Sequence, residues 1–482
     1  MDRLMKVIGI DIGTTTISMV VYEWSKKEVL LSLTREHNSF LKSAHSWERI
    51  QDVSAIEKTA GEMLSELFSE YDAAEIAAIG LSGQMHGILY VDKDGNAVSP
   101  LYTWQDQSGR NPVRSKGDCL KVTDWIREQC GREECTGYGL VTHLALMEQK
   151  KVPSNAVSFC TIADYFGMCL TGRRLPLLHT TMAASTGFFD VEKGCFLENE
   201  LRRLGVDLSL LPQVTDRIME IGTYGNVPVF TALGDNQASF LGSIGSCPEG
   251  SYSKQDTLLV NMGTGGQISM VSDRYYRIPG IDTRPFLNGT YLLAGASLCG
   301  GKAYAMLEGF FRTYAAAAGA KEKSQYDIMQ QLAEQTMRAI EAKKAETVEK
   351  SGKSCSRSRN LIPAVKTTFL GTRQNPEERG SIAELGEENF TPGGLILGVL
   401  YGMADELAKM YENIYRTTGK QASQIIASGN GIRLNPVLQQ VLEQRFGQKI
   451  RLSECREEAA CGAAVVAGSA VQAPGGFPSL HG

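Results

Sequence analysis

Two short segments of this chain have the residue types and spacing to hold phosphate. Near the start it reads IGIDIGTTTISMVV and about halfway LLVNMGTGGQISMVS, so Gly13-Thr14 and Gly263-Thr264 occupy matching places in two similar stretches. Each reads as strand, glycine turn, strand. The turns run through Gly13, Thr14 and Thr15 and through Gly263, Thr264 and Gly265. Such a turn presents backbone N–H groups and threonine hydroxyls to one point, a nest suited to phosphate oxygens. Either turn alone reads equally as an ordinary hairpin. The repetition points to one triphosphate gripped from two sides. Asp11, on the strand just before the first turn, is placed to hold a magnesium ion through water beside bound phosphates; its other reading is a cap for the turn. Asn261 stands at the same place in the echo, so the expectation is one metal and not a cage.

The elements around these turns read as alternating β-branched runs and amphipathic stretches, for example strand-like Ala77 to Leu81 and helix-like Val53 to Phe68. That is the pattern of an α/β protein with helix-covered sheets. A chain of 482 residues is too long for one ordinary core, so two domains are expected, 1–245 and 246–482. With 43% hydrophobic and 21% charged residues and only a slight excess of 54 acidic over 49 basic, nothing suggests a nucleic-acid or membrane partner. No leader precedes the strand-like Lys6 to Ile10, no apolar run approaches spanning length, and the 11 cysteines are scattered without C-x-x-C spacing. A cytoplasmic protein with reduced thiols is expected. The polar stretch 343–359 reads as an exposed mobile loop and the tail after Ala473 as a frayed end.

GIDIGTTTIS, NMGTGG and the late ASGNGIRLNPVLQQ together resemble the FGGY family of carbohydrate kinases. The resemblance runs over nearly the whole chain and is narrowed by LSGQMHG (81–87), TWQD (103–106), ADYFGMCLTG (163–172), MAASTGFFD (182–190), ALGDNQAS (232–239) and GTYLLAGASLCGG (289–301). Among subfamilies the set looks most like the sedoheptulokinases, with xylulokinases next. The resemblance implies two RNase H-like, actin-like ATPase domains with the catalytic cleft between them. It also implies a small sugar and MgATP as substrates.

Residue by residue, the resemblance makes Asp235 of ALGDNQAS the catalytic base and a second residue on the metal, with Asn236 beside it on the substrate side. Alone, Gly-Asp-Asn would read as a turn. LSGQMHG follows a strand-like run, which puts Gln84, Met85 and His86 on a loop at a strand's end, where α/β proteins place ligand contacts. The resemblance makes them sugar contacts. Trp104 and Asp106 would add an apolar face and a hydroxyl acceptor, although core packing is equally open to the tryptophan. Nucleotide contacts are implied at Gly300 and Gly301 and at Gly429, Asn430, Gly431 and Asn435; each glycine pair reads also as a helix cap or close packing. The small residues 459–468 read as a tightly packed helix beneath the nucleotide site. One departure is FLGTRQNPEERGSI from Phe369 to Ile382, which keeps Gly371, Arg373 and Pro376 but has Thr372 where many relatives carry glutamate. A homodimer is compatible with the sequence, and a non-kinase actin-like ATPase switch is the alternative of a different class.

Overall fold

The computed structural model describes residues 5–113, 120–245, 256–321, 323–351, 361–372, 375 and 377–472. Arg373 and Pro376 lie outside the described residues, as does the tail after Ala473. The first sheet contains β1 (Lys6–Ile12), β2 (Thr16–Glu23), β3 (Glu28–Glu36), β4 (Ile76–Gly83), β5 (Glu220–Tyr224), β6 (Val227–Phe230) and β7 (Leu233–Gly234). Its order is β5-β6-β4-β1-β2-β3, with β7 also pairing β4. β1 is antiparallel to β2 and parallel to β4. As a central strand covered on both faces it is nearly all apolar, whereas edge strand β3 alternates and carries Glu28, Arg35 and Glu36.

The second sheet repeats the plan with β8 (Thr257–Met262), β9 (Gly266–Ser272), β10 (Ile281–Pro285), β11 (Tyr291–Ser297), β12 (Gln424–Ser428) and β13 (Ile450–Leu452). The order is β10-β11-β9-β8-β12-β13, again with the first strand antiparallel to its hairpin partner and parallel to β12. The echo in sequence is therefore an echo in topology. It extends to register: Asp11 lies opposite Ser82 on β4, and Asn261 lies opposite Ser428 on β12.

Helix α1 (Val53–Glu70) starts where Asp52 accepts the N–H groups of Ser54 and Ala55, and its stripe Ile56, Ala60, Met63, Leu64 and Leu67 packs into the first core. Further helices used below are α2 (Asp235–Gly245), α3 (Gly300–Ala317), α4 (Tyr326–Ser351), α5 (Pro436–Phe446) and α6 (Glu458–Gln472). The polar stretch begins as helix, since α4 runs through Ser351; residues 352–359 lie outside the described residues. Ala, Lys and Glu in AKKAETVEK are strong helix formers. No described helix is long and apolar enough to cross a membrane. The eight described cysteines form no disulfide with one another.

The closing helix α6 lies against the first sheet and α2, and at its start Glu458 pairs with Arg433 at 3.6 Å. Added Cβ atoms on Gly9 and Gly80 would fall 1.9 and 2.0 Å from the carbonyl oxygens of Ala460 and Ala463, and one on Gly462 1.8 Å from that of Ala238. Leu233, Phe240 and Ile244 then join Leu259 and Ile426 of the second sheet and Ala459 and Val466 of α6 in one apolar cluster. Thus α2 and α6 form the waist that fixes the two sheets to one another. Because rigid backbone blocks the space on both sides, Gly462→Ala is expected to destabilise by about 3 kcal/mol or more. Calorimetry should show a clear fall in melting temperature.

Candidate active site

The first turn is clamped from behind. Gly13 N–H donates to Thr16 O at 3.0 Å, and each carbonyl of the turn meets protein: Gly13 O lies 3.3 Å from the His37 ring, Thr14 O accepts Gln51 Nε2 at 2.7 Å, and Thr15 O accepts His37 N–H at 3.2 Å. His37 is buried, which lowers its pKa and keeps the ring neutral. With the carbonyls taken, the Thr14 and Thr15 amides have no protein acceptor among the described residues. A turn with its oxygens tied back and its amides unspent suits phosphate.

The second turn is held differently. Gly263 N–H bonds to Gly265 O at 3.0 Å, while Gly301 and Lys302 at the start of α3 donate to Gly263 O and Thr264 O at 3.0 and 2.9 Å. An added Cβ on Gly300 would lie 2.4 Å from the Gly265 carbonyl carbon, so the Gly300-Gly301 pair lets α3 press on the turn. Gly263 and Thr264 remain exposed. Gly429, at φ +85°, and Gly431 pack against Met262 O at the end of β8, where a Cβ would come within 2.5 and 2.8 Å. Asn435 caps α5 by accepting Leu438 N–H at 3.0 Å, Asn430 is exposed, and Asn261 Nδ2 donates to Ser428 Oγ at 2.7 Å.

Between turn and cleft stands an acid pair. β7 pairs Leu233 with Ser82, and β1 pairs Asp11 with the same Ser82, so β4 brings Asp11 and the start of α2 together. Burial raises Asp11 to a pKa of about 7, with the Asp235 and Glu457 charges adding to it and the Ser82 hydroxyl opposing. Asp11 Oδ1 is fully buried without a hydrogen-bond partner among the described residues. Burial likewise raises Asp235 to about 6, against the pull of the Asn236 N–H, 2.7 Å from Oδ1, and of Arg284. Two mutually repelling carboxylates, one with an orphaned oxygen, fit a divalent cation. Among the described residues no group of three or more His, Cys, Asp or Glu could cage it, so water and phosphate oxygens would complete its shell.

Two of the expected sugar residues face open space and three sit below it. His86 is partly exposed, donates from Nδ1 to Ser185 O at 2.6 Å and stacks on Tyr138 at 4.8 Å. It lines a cleft of about 640 Å³ with Arg132, Tyr138, Ser185 and Arg284. Trp104 is 47% exposed and its Nε1 donates to Thr14 Oγ1 at 2.9 Å. Gln84 is buried, its N–H on Ile12 O and its Nε2 on Gln51 Oε1, both at 3.0 Å. Met85 belongs to the core; its sulfur would lie 2.6 Å from a Cβ on Gly234. The buried Asp106 carboxylate accepts Arg49 N–H and Ser108 N–H at 3.1 and 2.9 Å, which shapes the TWQD loop.

The FGGY carbohydrate-kinase model for the N-terminal domain matches residues 6–242, and that for the C-terminal domain residues 258–471. The chain belongs to this family. It is a carbohydrate kinase with the family's two-domain α/β fold, which sets aside the non-kinase switch. It is 26% identical to the sedoheptulokinase of Mus musculus, covering 95% of this chain and 96% of that one, and 25% identical to the Homo sapiens sedoheptulokinase with the same coverage. The xylulose kinase of Staphylococcus xylosus matches at 25% over 61% of this chain and 62% of its own. Among solved structures, the Lactobacillus acidophilus xylulose kinase superposes with a TM-score of 0.75 at 20% identity, covering 97% of this chain and 90% of that one.

Four residues of this FGGY kinase site escape a reading by motif. Arg284 on β10 donates to Asn236 Oδ1 at 3.2 Å and to Asp282 Oδ2 at 3.0 Å, reaching the Asp235 helix from the second half. Glu457, before α6, accepts Ser18 Oγ at 2.7 Å, and Ser18 is the β2 partner of Asp11. His37 and Gln51 hold the first turn. No local string marks these four; the further echo of LSGQ at 81–84 and ASGN at 427–430, at equivalent register positions beside Asp11 and Asn261, points to the strand ends alone.

Proposed function

We propose that this kinase transfers the γ-phosphate of MgATP to the terminal primary hydroxyl of a ketose, sedoheptulose first, with xylulose or a related pentulose or polyol as the alternative. The observation that carries phosphoryl transfer is the Asp11–Asp235 pair, partly buried between a phosphate-ready turn and an open cleft. Similarity to two sedoheptulokinases over 95% of the chain supports the choice of sugar. The unit 1–245 would hold the sugar and 246–482 the nucleotide, in a cytoplasmic enzyme.

In this reading the sugar lies over His86 and Trp104, and its reacting hydroxyl gives its proton to the Asp235 carboxylate as that oxygen attacks the γ-phosphorus. The bond to the β-bridging oxygen breaks and ADP leaves. Magnesium, held through water by Asp11 and Asp235, would neutralise charge on the phosphates. The Thr14, Thr15 and Gly263–Gly265 turns grip the phosphates, while residues around Gly300, Gly301, Gly429, Asn430, Gly431 and Asn435 border the nucleoside. Closure of the halves would exclude water and so limit idle ATP hydrolysis.

Arg284 holds Asn236 and favours the ionised Asp235. Arg284→Ala should therefore move the acid limb of kcat/KM for the sugar to higher pH and lower its plateau about tenfold, the loss of one charged hydrogen bond, with KM for ATP unchanged. The pH profile of the variant checks this. The reading as a whole is tested by coupled ADP release with MgATP and a panel of ketoses and polyols. Highest kcat/KM on sedoheptulose supports it, preference for a pentulose makes the enzyme a xylulokinase-type kinase, and no turnover on any sugar overturns it.

A further inference from the structure

Gln51 lies in a two-residue strand, Ile50–Gln51, paired to Leu101–Tyr102 just ahead of the TWQD loop. It is 0% exposed. A fully buried glutamine with no contact to solvent needs its amide satisfied from within, and here both ends are used: Nε2 donates to Thr14 O at 2.7 Å and Oε1 accepts Gln84 Nε2 at 3.0 Å. The carbonyl of Thr14 can only accept, which fixes the Gln51 amide with its nitrogen toward the turn. That in turn fixes the Gln84 amide with its nitrogen toward Gln51. The chain of amides has one polarity, and it ends at Gln84 Oε1, a buried acceptor with no partner among the described residues.

An orphaned acceptor costs about 1–3 kcal/mol until something donates to it. Any movement of Gln84 toward a donor must carry Gln51 with it, and so must pull on Thr14 O at the back of the phosphate turn. Trp104 ties the same residue from the other side through Thr14 Oγ1 at 2.9 Å. The loops lining the cleft and the first phosphate turn are thus joined by directional hydrogen bonds, with Gln51 as the link between backbone and loop.

We propose that Gln51 is a positioning residue that couples the sugar loop to the phosphate turn, so that sugar binding and phosphate alignment are set together. The inference rests on the reading of this site as a ketose kinase. A sugar hydroxyl donating toward Gln84 would complete the chain and hold the Thr14 and Thr15 amides in place for the phosphates. Without the link, each substrate still binds, but neither reports its presence to the other.

The test compares wild type with Gln51→Met, which keeps length and volume but cannot make these hydrogen bonds, and Gln51→Leu, which is close in volume and has no polar group. ADP affinity is measured by calorimetry in the presence of magnesium, with and without whichever ketose supports wild-type turnover. Expected are a wild-type tightening of about fivefold or more on adding sugar, a tightening within about twofold of none in both variants, and, by the same linkage, a KM for ATP at saturating sugar raised about fivefold together with a kcat about tenfold lower. A merely structural Gln51 would lower the melting temperature and leave the sugar-induced tightening intact. That result, or an absence of tightening in the wild type, overturns the coupling while leaving the kinase reading standing. No wild-type turnover on any sugar overturns both.

Discussion

Asp235→Asn should lower kcat for sugar phosphorylation by about a thousandfold, the scale of a lost general base, while ADP and sugar affinities stay within a few-fold of wild type. The asparagine is isosteric and can still receive the Asn236 N–H through its amide oxygen, so the helix start is expected to persist. What is lost is the proton acceptor. The pH dependence adds a second, independent signature. Burial lifts Asp235 to about 6 and Asp11 to about 7, and because each raises the cost of ionising the other, the pair takes up its protons in two coupled steps as the pH falls through that range. A base works only when ionised, so wild-type kcat/KM should fall below about pH 6–7 and hold above it. The residual activity of the variant should lack the part of this limb that belongs to Asp235. A variant within tenfold of wild type across the profile would remove Asp235 from the role of base.

Much of the scaffold was legible because it rests on local pattern. The duplicated strand–turn–strand segments, the α1 stripe and the loop position of LSGQMHG all follow from periodicity and turn chemistry within a few residues. The topology then repeats as the echo implied, down to Asp11 opposite Ser82 and Asn261 opposite Ser428. The residues that were not legible share a different property: their partners are far away in sequence. Gln51 meets Thr14 across 37 residues, Arg284 meets Asn236 across 48, and Glu457 meets Ser18 across 439. A lone Gln, Arg or Glu at those places looks like any solvated side chain, and only the fold brings it to the site.

Small residues signalled contact without naming its surface. At Gly300 and Gly301, which read both as nucleotide contacts and as close packing, the space a Cβ would take is filled by the backbone of the second turn; glycine marks close approach without saying of what. The helix 459–468 was rightly taken as packed, but its small residues match Gly9, Gly80 and Ala238 of the first half. The stretch from 343 departs from its reading, since polarity was read as irregularity where Ala, Lys and Glu form the end of α4.

Asp11→Asn should abolish turnover to the same order as loss of the base and at the same time make the ligand-free protein more stable at neutral pH. The sign follows from where the proton sits. In the folded chain Asp11 ionises at about 7, in the unfolded chain near its ordinary 3.8. As pH rises from about 4 to about 7 the unfolded state loses this proton first, so the folded state loses stability over that window and bears the full penalty above it. The penalty is at most about 4 kcal/mol, reduced to the extent that Asp235 takes the proton instead. Asparagine carries no charge to bury and escapes it. Calorimetry of the ligand-free proteins should show a melting temperature several degrees above wild type at pH 8 and nearly equal at pH 4. Adding magnesium and ADP should raise the wild type more than the variant, because only the wild type gains a counter-charge for a buried carboxylate. A variant less stable than wild type at pH 8 would mean that Asp11 is held as a neutral, hydrogen-bonded turn cap. The strand end would then be a structural device and not a charge kept in reserve for phosphate chemistry.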